Sequence, residues 1–143
     1  MQINYQIGTM IEVPRAAILA DELADVCDFF SFGTNDLTQL TFGFSRDDAA
    51  KFLKDYYAKN ILEKDPFMSL DTNGVGTLVK IATKMSKSIK PNISLGVCGE
   101  HAADESSIIF FDKIGLSYIS ASAYRIPVAK LAAAKASLIN KEQ

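Results

Sequence analysis

Three short polar groups each directly follow an apolar, β-prone run. Glu12 follows "GTMI", Gly33-Thr34-Asn35-Asp36 follows "FFSF", and Cys98-Gly99-Glu100-His101 follows "SLGV". Glu12 and Asp36 carry hard oxygen donors of the type that suits Mg²⁺ or Mn²⁺, ions that keep one or two protein carboxylates and fill their other positions with substrate and water. Either carboxylate alone could equally be a helix cap or an ion-pair partner; the pair is the stronger signal. Gly33 lets the backbone turn closely, so that the amides of Thr34 to Asp36 could face a carboxylate or a phosphate. The same string also serves as an ordinary capping turn. Cys98 stands close to Gly96 and Gly99, where a thiol could be nucleophile, acid or filler, whereas Cys27 reads as an inert core residue between a helix face and a strand. His101 is the single histidine, with no serine or cysteine motif placed to complete a triad. As an exposed loop residue it reads as structural, or at most as a hydrogen-bond partner.

The elements that must aim these groups follow from alternation of short apolar runs with helix-period segments, which is the pattern of βα units around a parallel sheet. Four units are predicted. A strand over about Gln6 to Val13 leads into a helix opened by Pro14, whose fixed φ suits a first helical turn, with Leu19, Leu23, Val26 and Cys27 on one face. A second strand covers about Asp28 to Phe32. A third, Ile93 to Val97, follows a helix with an apolar stripe of Leu78, Ile81, Ala82, Met85 and Ile89. The fourth, Ser117 to Ser122, follows a helix for which Gly115 is a suitable C-cap, and Pro127 opens a last, alanine-rich helix. The connection from Asp36 to about Gly74 far exceeds the roughly 2 to 6 residues usual for a βα loop, so it must contain helices of its own. In such folds the loops at the carboxyl ends of the strands converge on the ligand. All three polar groups sit at such ends.

The 143 residues suffice for one domain, 1–143. Fifteen basic residues against 17 acidic ones, with no block of either sign, announce no nucleic-acid face, so partners are expected to be small molecules or protein. Two cysteines without CxxC spacing fit a reducing compartment. The cytosol is the default, with an organelle left open for a parent chain. Neither a leader nor an apolar run near the roughly 20 residues of a membrane span is expected.

"FFSFGTNDLTQLTFGFSR" resembles the signature of the phosphoenolpyruvate-utilising enzymes, and "GTMIEVPRAA", "GVCGEHAAD" and "YISASAYRIPVAKLAAAKA" resemble three further blocks of that family in order. "TFGFSRDDAAKFLKDYYAKNILEKDPF" is most similar to its dikinase branch; phosphoenolpyruvate synthase and enzyme I of the sugar phosphotransferase system are the alternatives within the family. The resemblance implies the second half of a (β/α)₈ TIM-type barrel that binds phosphoenolpyruvate or pyruvate with Mg²⁺, in an α/β chain with a long helical insertion after the second strand. It implies Glu12 and Asp36 as Mg²⁺ ligands, and Glu12, Gly33, Thr34, Asn35 and Asp36 as substrate contacts. Cys98 becomes the general acid that protonates the pyruvate enolate at carbon 3, a role open to a thiol still protonated near neutrality. The phosphohistidine and nucleotide-binding domains lie elsewhere in the parent, so His101 is not the phosphoryl carrier. The arginines that clamp the phosphate belong to the first half of the barrel, and Arg15, Arg46 and Arg125 match none of them. Ala102-Ala103 and Ala123 depart from the glycines and proline of the branch. The chain alone is expected to be inactive, or to act as an association module, since the family forms homodimers through the barrel.

Overall fold

Four strands and seven α-helices alternate along residues 3–141, the part of the chain that the computed structural model describes. Strands β1 (Gly8–Ile11), β2 (Phe29–Gly33), β3 (Ser94–Cys98) and β4 (Tyr118–Ile119) form one parallel sheet in the order β1-β2-β3-β4. Parallel strands joined by right-handed crossovers in an order that never reverses place their helices on one face. The core agrees. Ile11, Phe30, Phe32, Leu95 and Val97 are fully buried and pack with Ala17, Ala20, Val75, Val79 and Phe111. Residues of the alternate set face the other way, with Met10, Ser31, Gly96 and Tyr118 side by side in register. The Tyr118 ring lies across Gly96, where a Cβ would come within 2.0 Å of it. The outer strands β1 and β4 each pair on one side only, an arrangement consistent with a partial barrel.

The first crossover is two helices, α1 (Pro14–Ile18) and α2 (Ala20–Val26), broken at Leu19. The break rotates the buried face onto Ala17, Ala20 and Ala24, which are fully buried, while Val26 is 72% exposed. The expected stripe through Leu19 and Val26 assumed one continuous helix. Cys27 is buried, as expected. Helix α5 (Val75–Ile89) packs against α1 and α2. Its buried face is Val75, Val79, Ala82 and Ser86, with Ile81 and Ile89 exposed. The helix is apolar over a wide arc, so periodicity located the arc but not the part that meets the sheet.

The long connection contains helices of its own, α3 (Thr34–Phe42) and α4 (Arg46–Ala58). Gly43 turns the chain between them at φ +67°, and Ala49, Leu53 and Phe67 build a small separate core. Beyond β3, a 3₁₀ turn (Glu100–Ala103) holds Ala102 fully buried. Helix α6 (Glu105–Lys113) is capped by Asp104, which accepts from the Ser107 amide at 2.9 Å, and Gly115 follows it at φ +80°. Strand β4 is shorter than the expected Ser117 to Ser122, and Ala123 lies in a further 3₁₀ turn. Helix α7 (Ile126–Ile139) sets Ala129, Ala132 and Ala136 against Ile108 of α6.

Candidate active site

Strands β1, β2 and β3 end together, and their register decides which side chains meet. Gly33 is the partner of Cys98, and Glu12 is the first residue beyond β1. The Glu12 side chain crosses Gly33: a Cβ on Gly33 would lie 2.7 Å from Glu12 Oε2, 2.8 Å from Glu12 Cβ and 3.2 Å from Met10 Cγ. Only glycine fits beneath it. The Cys98 thiol occupies the same face, 3.6 Å from Ser31 Oγ, 3.6 Å from the Phe32 carbonyl oxygen and 3.8 Å from Met10 Sδ. Glu12 and Cys98 therefore share one rim.

The string Gly33-Thr34-Asn35-Asp36 is a helix start rather than a loop. Gly33 is the N-cap of α3 and supplies no side-chain cap, so the first-turn amides have no intrahelical acceptor. They stand at the positive end of the helix dipole, which suits an anionic ligand. Asp36 is exposed in that first turn. Thr34 is fully buried, its hydroxyl 3.0 Å from the Cys98 carbonyl oxygen and 2.8 Å from His101 Nδ1. Its side chain is thus committed internally, and only its amide is left for a ligand. Asn35 Oδ1 accepts from the Glu100 amide at 3.2 Å. Between these contacts Gly99 adopts φ +104°, and a Cβ there would meet Thr34 Oγ1 at 2.8 Å and Asn35 Oδ1 at 3.0 Å.

His101 is not an exposed loop residue; it is fully buried. Its Nε2 lies 2.8 Å from the Pro66 carbonyl oxygen, which can only accept, so Nε2 carries the proton. Burial lowers the histidine pKa, opposed less strongly by the Pro66 carbonyl and by Asp104, Glu100 and Asp65. Further contacts fasten the insertion to the segment after Cys98. Arg46 pairs with Glu100 at 3.3 Å, Ser69 Oγ donates to Asp104 at 3.2 Å, and the Leu70 amide donates to Ser107 Oγ at 2.9 Å. Burial pushes the Asp104 pKa up, but hydrogen bonds from Ser106, Ser107 and Ser69 outweigh it and leave the carboxyl below its ordinary value.

Among the described residues there is no cluster of three or more histidine, cysteine or acidic side chains able to hold a metal. A cation at this rim would take Glu12 and Asp36 and little else from the protein. Two hard carboxylates are what Mg²⁺ commonly accepts; the Glu12 carboxylate lies over Gly33, and Asp36 is exposed in the adjoining helix turn. A cleft of about 520 Å³ lies elsewhere, between α6, β4 and α7, lined by residues such as Ile108, Tyr118 and Ala129. The strand ends are the better candidate because the polar groups converge there.

The model of the family described as PEP-utilising enzyme, PEP-binding domain, matches residues 1–138. The chain belongs to this family. Among curated proteins, this PEP-utilising domain is 58% identical over 139 residues to pyruvate, phosphate dikinase of Clostridium symbiosum, covering 97% of this chain and 16% of that protein. It is 58% identical to pyruvate, phosphate dikinase 2 of Zea mays, over 93% of this chain and 15% of that one. The corresponding figures for the chloroplastic pyruvate, phosphate dikinase 1 of Arabidopsis thaliana are 56%, 93% and 14%. The chain thus spans about one sixth or less of the length of these relatives.

For this PEP-utilising domain, sequence reasoning named Glu12, Gly33, Thr34, Asn35, Asp36 and Cys98, and the structure gathers Glu12, Gly33 and Cys98 on one face with Asn35 and Asp36 in the adjoining helix turn. Thr34 sits there by its backbone only. Sequence reasoning missed Ser31 and Met10 beside the thiol. Alternation along β1 and β2 carried the signal, because residues two before Glu12 and two before Gly33 share their face.

Proposed function

We propose that the chain is the C-terminal part of a pyruvate, phosphate dikinase, the second half of its (β/α)₈ barrel. In this reading it interconverts pyruvate and phosphoenolpyruvate through a phosphohistidine carried by another domain. The observation that carries this is Glu12 folded over Gly33 beside the Cys98 thiol, at the N-terminus of α3. The names of the dikinase relatives support it. The chain's short share of those relatives leaves room for phosphohistidine and nucleotide-binding domains.

The amides that open α3 receive the carboxylate or phosphate of the substrate, and Glu12 with Asp36 would hold Mg²⁺. When bound, that ion supplies positive charge opposite the developing enolate oxygen. Cys98 Sγ–H delivers its proton to carbon 3 of the enolate on the way to pyruvate and takes it back in reverse, with Ser31 and Met10 fixing the thiol. The unpaired sides of β1 and β4 meet the first half of the barrel, which brings the phosphate-clamping arginines, and the barrel forms a homodimer. The free thiols of Cys27 and Cys98 suit the cytosol.

The intact dikinase should form phosphoenolpyruvate from ATP, phosphate and pyruvate, and residues 1–143 alone should not. Glu12→Gln should weaken its Mg²⁺ dependence-midpoint by about tenfold or more. Turnover by the 143-residue chain alone, or a Glu12→Gln enzyme with unchanged Mg²⁺ response, would contradict the reading.

A further inference from the structure

We propose that His101 is a positioning residue for proton transfer by Cys98, acting through the Thr34 hydroxyl; this rests on the reading of Cys98 as the proton donor. His101 is fully buried and touches no ligand-facing surface, yet it joins three segments. Nε2–H donates to the Pro66 carbonyl in the insertion, and Nδ1 meets the Thr34 hydroxyl at the start of α3, each at 2.8 Å. Thr34 Oγ1 in turn lies 3.0 Å from the carbonyl oxygen of Cys98 itself. The backbone of Cys98 and the ligand-binding turn are therefore held in register by one buried side chain.

The proton count makes the arrangement specific. A carbonyl oxygen accepts only, so Nε2 carries the ring proton and a neutral ring presents Nδ1 as an acceptor. The Thr34 hydroxyl has one proton, which Nδ1 and the Cys98 carbonyl share as a three-centre hydrogen bond. Its side chain can neither rotate toward a ligand nor leave this position without stranding a buried nitrogen. Gly99, at positive φ, packs closely against Thr34 and Asn35 where the following segment begins. Loss of the Nδ1 contact should release Thr34, and with it the end of β3 that it holds, from the tie to Pro66 and blur the aim of Cys98, while the α3 amides that bind substrate stay on their helix.

Two near-isosteric substitutions separate the two nitrogens. Glutamine reaches toward Pro66 but offers Thr34 no acceptor in the Nδ1 position; asparagine offers that acceptor and falls short of Pro66. In the intact dikinase, His101→Gln should slow deuterium exchange at carbon 3 of pyruvate by about 10- to 100-fold at saturating pyruvate. It should shift the KM for pyruvate less than about threefold and leave ATP-dependent phosphorylation of the histidine domain at the wild-type rate. His101→Asn should be slowed less, Thr34→Val should match His101→Gln, and the double variant Thr34→Val with His101→Gln should be no slower than either alone. The proposal is overturned by exchange in His101→Gln close to wild type, by His101→Asn as slow as His101→Gln, by additive single effects, or by equal loss of both half-reactions. Should His101→Gln fail to fold, Thr34→Val alone decides, since wild-type exchange in it refutes the relay. A Cys98→Ala enzyme that still exchanges would instead count against Cys98 as the donor.

Discussion

Replacing Gly33 by alanine adds a single methyl group at the most crowded point of the site. That methyl would sit 2.8 Å from Glu12 Cβ and 2.7 Å from its carboxylate oxygen. Carbon atoms in contact prefer about 3.5–4.0 Å, so the backbone at Glu12 or Gly33 must shift by roughly 1 Å. Because one of the clashing atoms is a Cβ, rotation at the end of the side chain cannot absorb the overlap. Overpacking of this kind costs about 1–3 kcal/mol. That predicts a Tm lower by about 3–10 °C for a domain of this size. The functional effect should be larger than the stability effect, because a displacement of about 1 Å in a positioning group costs on the order of 100-fold in rate. The assay is deuterium exchange into carbon 3 of pyruvate by the intact dikinase with Mg²⁺, followed by proton NMR, with a melting curve on the same sample. Exchange within about twofold of wild type, with an unchanged Tm, would refute the claim that Glu12 is seated on Gly33.

Two further outcomes are expected. His101 titrates below its ordinary value in the folded chain because burial disfavours the charged ring. The unfolded chain therefore takes up the proton first as pH drops past about 6.5; stability is full above that point and is lost as pH falls toward the folded pKa. Urea unfolding across pH 7.5 to 5 should show a steeper decline for wild type than for His101→Gln, and parallel curves would contradict this. Asp104 adds a second loss at lower pH, as its hydrogen-bonded carboxylate is protonated. Gly99→Ala places a Cβ within 2.8 Å of Thr34 Oγ1 at φ +104°; it should lower Tm and slow exchange, and a variant with wild-type values for both would show that the turn is not constrained.

Much of the site was legible because its residues fall where a strand ends. Glu12, Gly33 and Cys98 could be aligned without coordinates, since polar residues directly after apolar β runs converge at one rim in a parallel sheet. Gly115 was legible for a local reason, the left-handed turn that follows α6. His101 was misjudged because its burial depends on Pro66, 35 residues away, folding back over it. The internal role of the Thr34 side chain was not legible for the same reason, as it depends on the segment after Cys98. The helix faces went wrong where apolar residues exceed what one contact can bury. In α5 either arc would satisfy the period, and packing against α1 and α2 selected the one through Val79 and Ala82.

In the proposed enzyme Cys98 exchanges a proton with carbon 3 of pyruvate, while the histidine domain is phosphorylated from ATP and phosphate at a separate site. Cys98→Ala in the intact dikinase, assayed in both half-reactions, tests it most directly. Deuterium exchange into pyruvate should be largely abolished while the histidine domain is phosphorylated from ATP and phosphate at the wild-type rate. Retained exchange, or equal loss of both half-reactions, would contradict it.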